Sequence, residues 1–135
     1  MPALRGRYGV LALSEIVSSY TQKQAIEDGI LADLSGIPEL KELVDNAGFK
    51  VPVVMTSHLW TTIEEGIDVV GQDLKGRLWD VLFMAAQAFK NCKEDKHLVP
   101  FQVLMKDKNN RMQTLSLWLT FNEVEGFCVM FPEDY

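Results

Sequence analysis

HLVPFQVLMKDKNNRMQTLSLWLTFNEVEGFCVMF, residues 97–131, decides the fold. Val99, Phe101, Val103 and Met105 recur with period two, and Asp107 to Arg111 then make a polar turn. Leu115, Leu117, Leu119 and Phe121 alternate again, with Thr114, Ser116 and Thr120 on the opposite face. Asn122 to Gly126 form the next turn, and Phe127, Val129 and Phe131 a third run. Period-two runs joined by short polar turns are strands of an antiparallel meander, with one face towards a core.

What covers that face lies immediately upstream. From Asp73 to Cys92, Leu74, Leu78, Val81, Leu82, Ala85 and Phe89 form one helical seam, and Trp79, Phe83 and Ala86 form a second stripe beside it. A helix apolar over most of its circumference is expected to lie between two layers. Further back, short elements carry their own stops. Thr21 is a suitable N-cap for a helix that Gly29 ends, and Pro38 and Glu39 open a second helix that Gly48 ends. Ser57 is a suitable cap for a third, running to about Glu65. Residues 30–34 and 49–56 read as short strands, the second either an edge strand or merely a short one because Pro52 removes a ladder donor. Residues 14–20 suit a short helical turn, and residues 1–13, without clear period, an irregular arm. Helices first and a meander last predict an α+β domain of two or three layers: N-terminal helices and a long central helix on a three-stranded antiparallel sheet. No linker or repeat divides the chain, so one domain over 1–135 is expected.

The chain has 135 residues, 47% of them hydrophobic, enough for a core without metal or disulfide staples. Thirteen basic against nineteen acidic residues leave a net charge of −6, which disfavours nucleic acid and anionic membranes as direct partners. The N-terminus lacks a continuous apolar stretch of the kind a secretory signal needs, and no apolar run approaches the ~20 residues of a membrane span. A cytoplasmic protein is expected. Cys92 and Cys128 have no neighbouring cysteine, so no zinc pattern arises, and two buried free thiols are the expectation.

The inventory of reactive groups is thin. His58 and His97 are isolated, in places that suit capping or surface roles, and no nucleophile elbow, zinc-helix, phosphate-loop or dinucleotide motif is present. Neither catalytic residues nor a metal or cofactor is expected. Charge is unevenly distributed: residues 90–111 carry net +3, leaving −9 for the rest. Lysines at strand ends and turns also blunt sheet edges. Glu64, Glu65, Asp68 and Asp73 form an acidic run with no base among them, either solubility charge or a docking surface for a basic partner. Arg77 and Asp80, on the first turns of an apolar helix, are expected half-buried and in need of partners. They form either an internal ion pair or, through Arg77, a small anion site.

Three blocks carry a resemblance: Tyr20-Thr21-x-x-x-Ala25-Ile26-x-Asp28-Gly29, then Ala47-Gly48-Phe49-Lys50-x-Pro52-Val53 with Thr56 and Trp60, then Gly76-Arg77-Leu78-Trp79-Asp80-Val81-Leu82. Together they resemble a family of small uncharacterised proteins of bacteria, plasmids and phages. The resemblance implies a mobile-element setting and transfers no catalytic residue. The expected function is a non-enzymatic protein-interaction accessory factor, an inhibitor of a host nucleic-acid-targeting defence system acting through the acidic surface at Glu64, Glu65, Asp68 and Asp73. Its partner would be a host or element-encoded protein with a basic surface. The alternatives are a small-ligand or anion-binding module, or cryptic enzyme, with a pocket near Arg77, and a homodimeric scaffold joined through the Pro52 strand or the meander edge.

Overall fold

The computed structural model describes residues 22–65, 73–93 and 96–135. In chain order these form α1 (Gln22–Glu27), β1 (Leu31–Asp33), α2 (Pro38–Ala47), β2 (Val53–Thr56), α3 (Ser57–Glu64), α4 (Leu74–Asn91), β3 (Leu98–Lys106), β4 (Met112–Asn122), β5 (Gly126–Met130) and a closing 3-10 turn at Pro132–Asp134. The arm expected at 1–13, the helical turn at 14–20 and the Thr21 cap lie outside the described residues.

Local chemistry sets the helix ends. Pro38 opens α2 where a missing N–H costs nothing, and Gly48 closes it at φ 105°, with its N–H bonded to Asp45 O. Asp73 caps α4 by accepting from Gly76 N at 2.6 Å. The cap of α3 falls one residue earlier than expected: Thr56, not Ser57, is the N-cap, its hydroxyl accepting from Leu59 N. Ser57 instead turns back, its N–H bonded to Ile30 O and its hydroxyl to Gly29 O.

The five strands form one sheet in the order β1-β2-β5-β4-β3. The expected meander is present: β3 pairs antiparallel with β4, and β4 antiparallel with β5. Both short strands also form, and β1 pairs antiparallel with β2. Of the two readings of the Pro52 strand, the short one holds, since β2 has four residues, and the edge one does not, because β2 lies between β1 and β5 and pairs in parallel with β5. Pro52 sits just ahead of the strand, so its missing donor is not needed, and its carbonyl accepts from Phe127 N at 2.9 Å. The route to a homodimer through the Pro52 strand is closed for the same reason. β1 and β3 are the edges, and β3 carries Pro100 and ends on Lys106, both of which blunt strand addition.

Two cores flank the sheet. The larger lies under α2, α3 and α4 and holds the inward sides of β3 and β4. The smaller lies on the other face, where Ala25, Leu31, Val54, Cys128 and Met130 pack together with Ile26, Ile30 and Trp118. Strands β2 and β5 are therefore buried on both faces, which explains their unbroken apolar runs, Val53-Val54-Met55 and Phe127-Cys128-Val129-Met130. Each large side chain so buried contributes roughly 1.5–3 kcal/mol. On α4, Leu78, Val81, Leu82 and Ala85 are buried as expected. The expectation that α4 lies between two layers is not met: on its outer stripe Phe83 and Met84 are about 40% exposed, and Trp79 and Phe83 stack on each other at 5.8 Å. A stripe of large apolar residues can cover itself partly by such stacking, and periodicity alone does not distinguish this from burial under another layer.

The β3–β4 turn is pinned by one carboxylate. Asp107 Oδ1 accepts from Asn109 N (2.8 Å) and Arg111 N (3.0 Å), while Asn110 takes the left-handed conformation at φ 64°. These bonds, that from Arg111 above all, hold the Asp107 carboxyl below the usual carboxylate range. A lowered acid stabilises the fold above its unfolded pKa of about 3.9 and loses that contribution as pH falls through the folded value. Asp107→Asn is expected to melt below wild type at pH 7, with the difference shrinking as melting curves are recorded at pH values falling below about 3.9 and through the lower folded value.

Candidate functional site

Three residues of the acidic run flank the end of α3 and the start of α4. Glu64 ends α3, Glu65 follows it, and Asp73 caps α4; all three are exposed. Asp68 lies outside the described residues. None of the three is in a salt bridge among the described residues, whereas Lys41 and Asp45 on α2 pair at 2.9 Å.

Arg77 ties this end together from inside. Only 2% exposed, it donates from Nε to Ile63 O (2.9 Å) and from Nη1 to Lys106 O (2.8 Å). One guanidinium thus reaches the last turn of α3 and the end of β3. The negative end of the α3 dipole favours a cation there. Burial lowers the Arg77 pKa, and Asp80 works in the opposite sense. Asp80, expected half-buried, is exposed; partial desolvation pushes its carboxyl up and Arg77 draws it down. The two residues are within electrostatic reach, while two Arg77 donors serve main-chain carbonyls.

Sequence reasoning missed a polar clasp at the C-terminus. Asp134 accepts from the Thr56 hydroxyl (2.8 Å), lies 3.0 Å from His58 Nδ1, and accepts from Phe131 N. The His58 ring packs on Phe131 at 4.5 Å. A carboxylate orients an imidazole here, but the hydroxyl donates to the carboxylate and not to the ring, so the cluster lacks the nucleophile-to-base bond of a hydrolytic triad. Its evident work is to fasten the closing turn to the end of β2. His97 pairs with Glu123 at 3.5 Å on the surface. Cys128 is buried, and burial raises its thiol pKa far above the reactive range, with Asp134 adding to the effect. Cys92 is half-buried at the end of α4.

A second feature had no motif to announce it. A cavity of about 610 Å³ opens between the end of α2, the last turns of α4 and the strands β4 and β5. Phe49, Phe89, Phe121 and Phe127 line it around a common contact: Phe127 meets Phe49 and Phe89 edge-on, both at 5.0 Å, and Phe121 at 4.8 Å. Lys50, Lys90 and Lys96 also line it, with Lys96 Nζ 4.7 Å above the Phe89 ring. Phe89 lies twelve residues beyond Arg77 on α4, about 18 Å along the helix, so this cavity is remote from the pocket expected near Arg77.

Among the described residues no group of three or more His, Cys, Asp or Glu is placed to hold a metal ion, and no helix is long and apolar enough to cross a membrane. No curated protein and no solved structure matches the chain. A protein family does match it, over residues 9–120, a span that contains all three blocks of the resemblance, every described element from α1 to β3 and most of β4. The chain belongs to this family, a family of unknown function (DUF6573).

Proposed function

We propose that the protein is a non-enzymatic accessory factor of a phage or plasmid, which binds a partner protein stoichiometrically through its acidic end. The partner is a host protein with a basic surface built for nucleic acid, such as a component of a nucleic-acid-targeting defence system. One observation carries the proposal: Glu64, Glu65 and Asp73 are exposed, and in no salt bridge among the described residues, where Arg77 holds α3 against α4. Like charges gathered without counterions repel, and a cationic surface relieves that repulsion and is steered towards it. The mobile-element setting implied by the resemblance agrees with this role. An anion site at Arg77 has less support, since two of its donors are already engaged by carbonyls.

The test is affinity capture from the native host with wild type and with the combined variant Glu64→Lys, Glu65→Lys, Asp68→Lys. A partner captured in near-stoichiometric amount by wild type is expected to fall about tenfold or more with the variant, and to elute early in salt. Reversal of the exposed acids Glu39 and Glu42 on α2 serves as the control and should change nothing. Capture that survives reversal at 64, 65 and 68 overturns the acidic surface as the contact.

A further inference from the structure

The Phe-lined cavity is not used by the acidic end and has a chemistry of its own. Four aromatic rings give it an apolar wall, and none of its lining residues is acidic. Phe49 and Phe127 are nearly buried, while Phe89 and Phe121 are only half-covered. The three lysines come from separate parts of the chain: Lys50 after α2, Lys90 in the last turn of α4, and Lys96 ahead of β3. Their convergence on one hollow is a product of the fold and not of a basic run in the sequence.

A structural role accounts poorly for this arrangement. A core lacking ligand would gain by closing over its exposed rings, since unfilled apolar space forfeits dispersion contacts. Three like charges around one hollow repel and raise the cost of leaving it empty. An anion with an aromatic body resolves both costs, because its ring stacks on or meets the phenylalanine edges while its charged group reaches the ammonium groups at the mouth. The volume lies within the ~300–1,000 Å³ typical of small-molecule sites. Lys96 above the Phe89 ring is already placed to face such a group. We propose that this cavity binds a small ring-bearing organic anion, its aromatic part among Phe49, Phe89, Phe121 and Phe127 and its acidic group at Lys50, Lys90 and Lys96. The ligand is a flat carboxylate, sulfonate or phosphate. The site is separate from the acidic end, so either can fail without the other.

The test uses two probes with one ring system, 8-anilinonaphthalene-1-sulfonate and its uncharged parent N-phenyl-1-naphthylamine, titrated by fluorescence against the full chain. The sulfonate is expected to bind at least tenfold tighter than the neutral parent. The combined variant Lys50→Met, Lys90→Met, Lys96→Met should lose that tenfold and keep the affinity for the parent. Lys75→Met, on the first turn of α4, should match wild type. Gln87→Trp, which places an indole into the cavity from α4, should block both probes while its melting temperature stays near wild type. Displacement by a nucleoside monophosphate or by an aromatic carboxylate then identifies which acidic group is preferred, and displacement by either supports the site. Equal affinity for the two probes, sulfonate binding that is indifferent to the lysine variant, or probe binding that survives Gln87→Trp in a folded protein overturns it.

Discussion

Gly126→Ala is expected to destabilise the protein by about 3 kcal/mol or more, a fall in melting temperature on the order of 10 °C. Gly126 opens β5 at φ 102°, a region that side chains rarely enter. Space is the larger obstacle. A Cβ at this position would meet the carbonyl of Pro52 closer than real Cβ atoms approach a backbone oxygen. That carbonyl is not free to retreat, because it accepts from Phe127 N at the start of the parallel β2–β5 pairing. Relieving the clash therefore means loosening the two central strands, which are buried on both faces. Gly29→Ala is the internal comparison. Gly29 also has a positive φ, 78°, but nothing lies within 4 Å of its would-be Cβ. Only the backbone strain is incurred there, about 1 kcal/mol. Paired urea titrations of the two variants measure the difference; equal losses would show that the Pro52 approach does not matter.

Arg77→Met is expected to cost about 3 kcal/mol, read as a lower urea midpoint with an unchanged slope. The usual counter-effect, in which an apolar substitute for a buried ion spares its desolvation, helps little here. That compensation works when both members of an ion pair are replaced, but the acceptors of Arg77 are the main-chain carbonyls of Ile63 and Lys106, which stay. Each loses this donor, Ile63 O at a buried position and Lys106 O at a partly buried one, at about 1–3 kcal/mol apiece with the larger loss at Ile63. Arg77→Lys should rescue little, since one ammonium on a flexible stem does not span two carbonyls on different elements as the planar fork does. Hydrogen exchange should quicken in α3 and at the end of β3 in both variants, the two places the guanidinium joins. Wild-type stability in Arg77→Lys would show that one bond suffices.

The elements were largely legible and the site was not. Alternation at 99–105 and 115–121 marked β3 and β4 because each has one face on the core, so burial and sequence share a period of two. Pro52 leaves the place of β2 in the sheet open between an edge and a short strand, because the sequence does not show that it stands one residue before the strand and contributes only its carbonyl. The acidic run could be read directly, since Glu64, Glu65 and Asp73 lie within ten residues of sequence, at the end of α3 and the start of α4. Arg77 was flagged as needing partners, yet which carbonyls it serves depends on where β3 ends relative to α3. The cavity gave no local signal at all. Its phenylalanines are spread from residue 49 to residue 127, and of its three lysines two, Lys90 and Lys96, belong to the basic stretch 90–111 that reads as edge and turn charge, while Lys50 carries no reading of its own.

The sequence by itself determined the order and kind of most elements, the helix stops at Gly29 and Gly48, the turn at Asp107–Arg111 and the α+β class, because each of these follows from residues within a few positions of one another. Only the tertiary structure decided that β2 enters the sheet beside β5, that α1 covers the second face, and that four rings and three lysines converge around one hollow. Those outcomes are set by contacts between segments tens of residues apart, where loop closure and packing choose among pairings that local periodicity leaves equal.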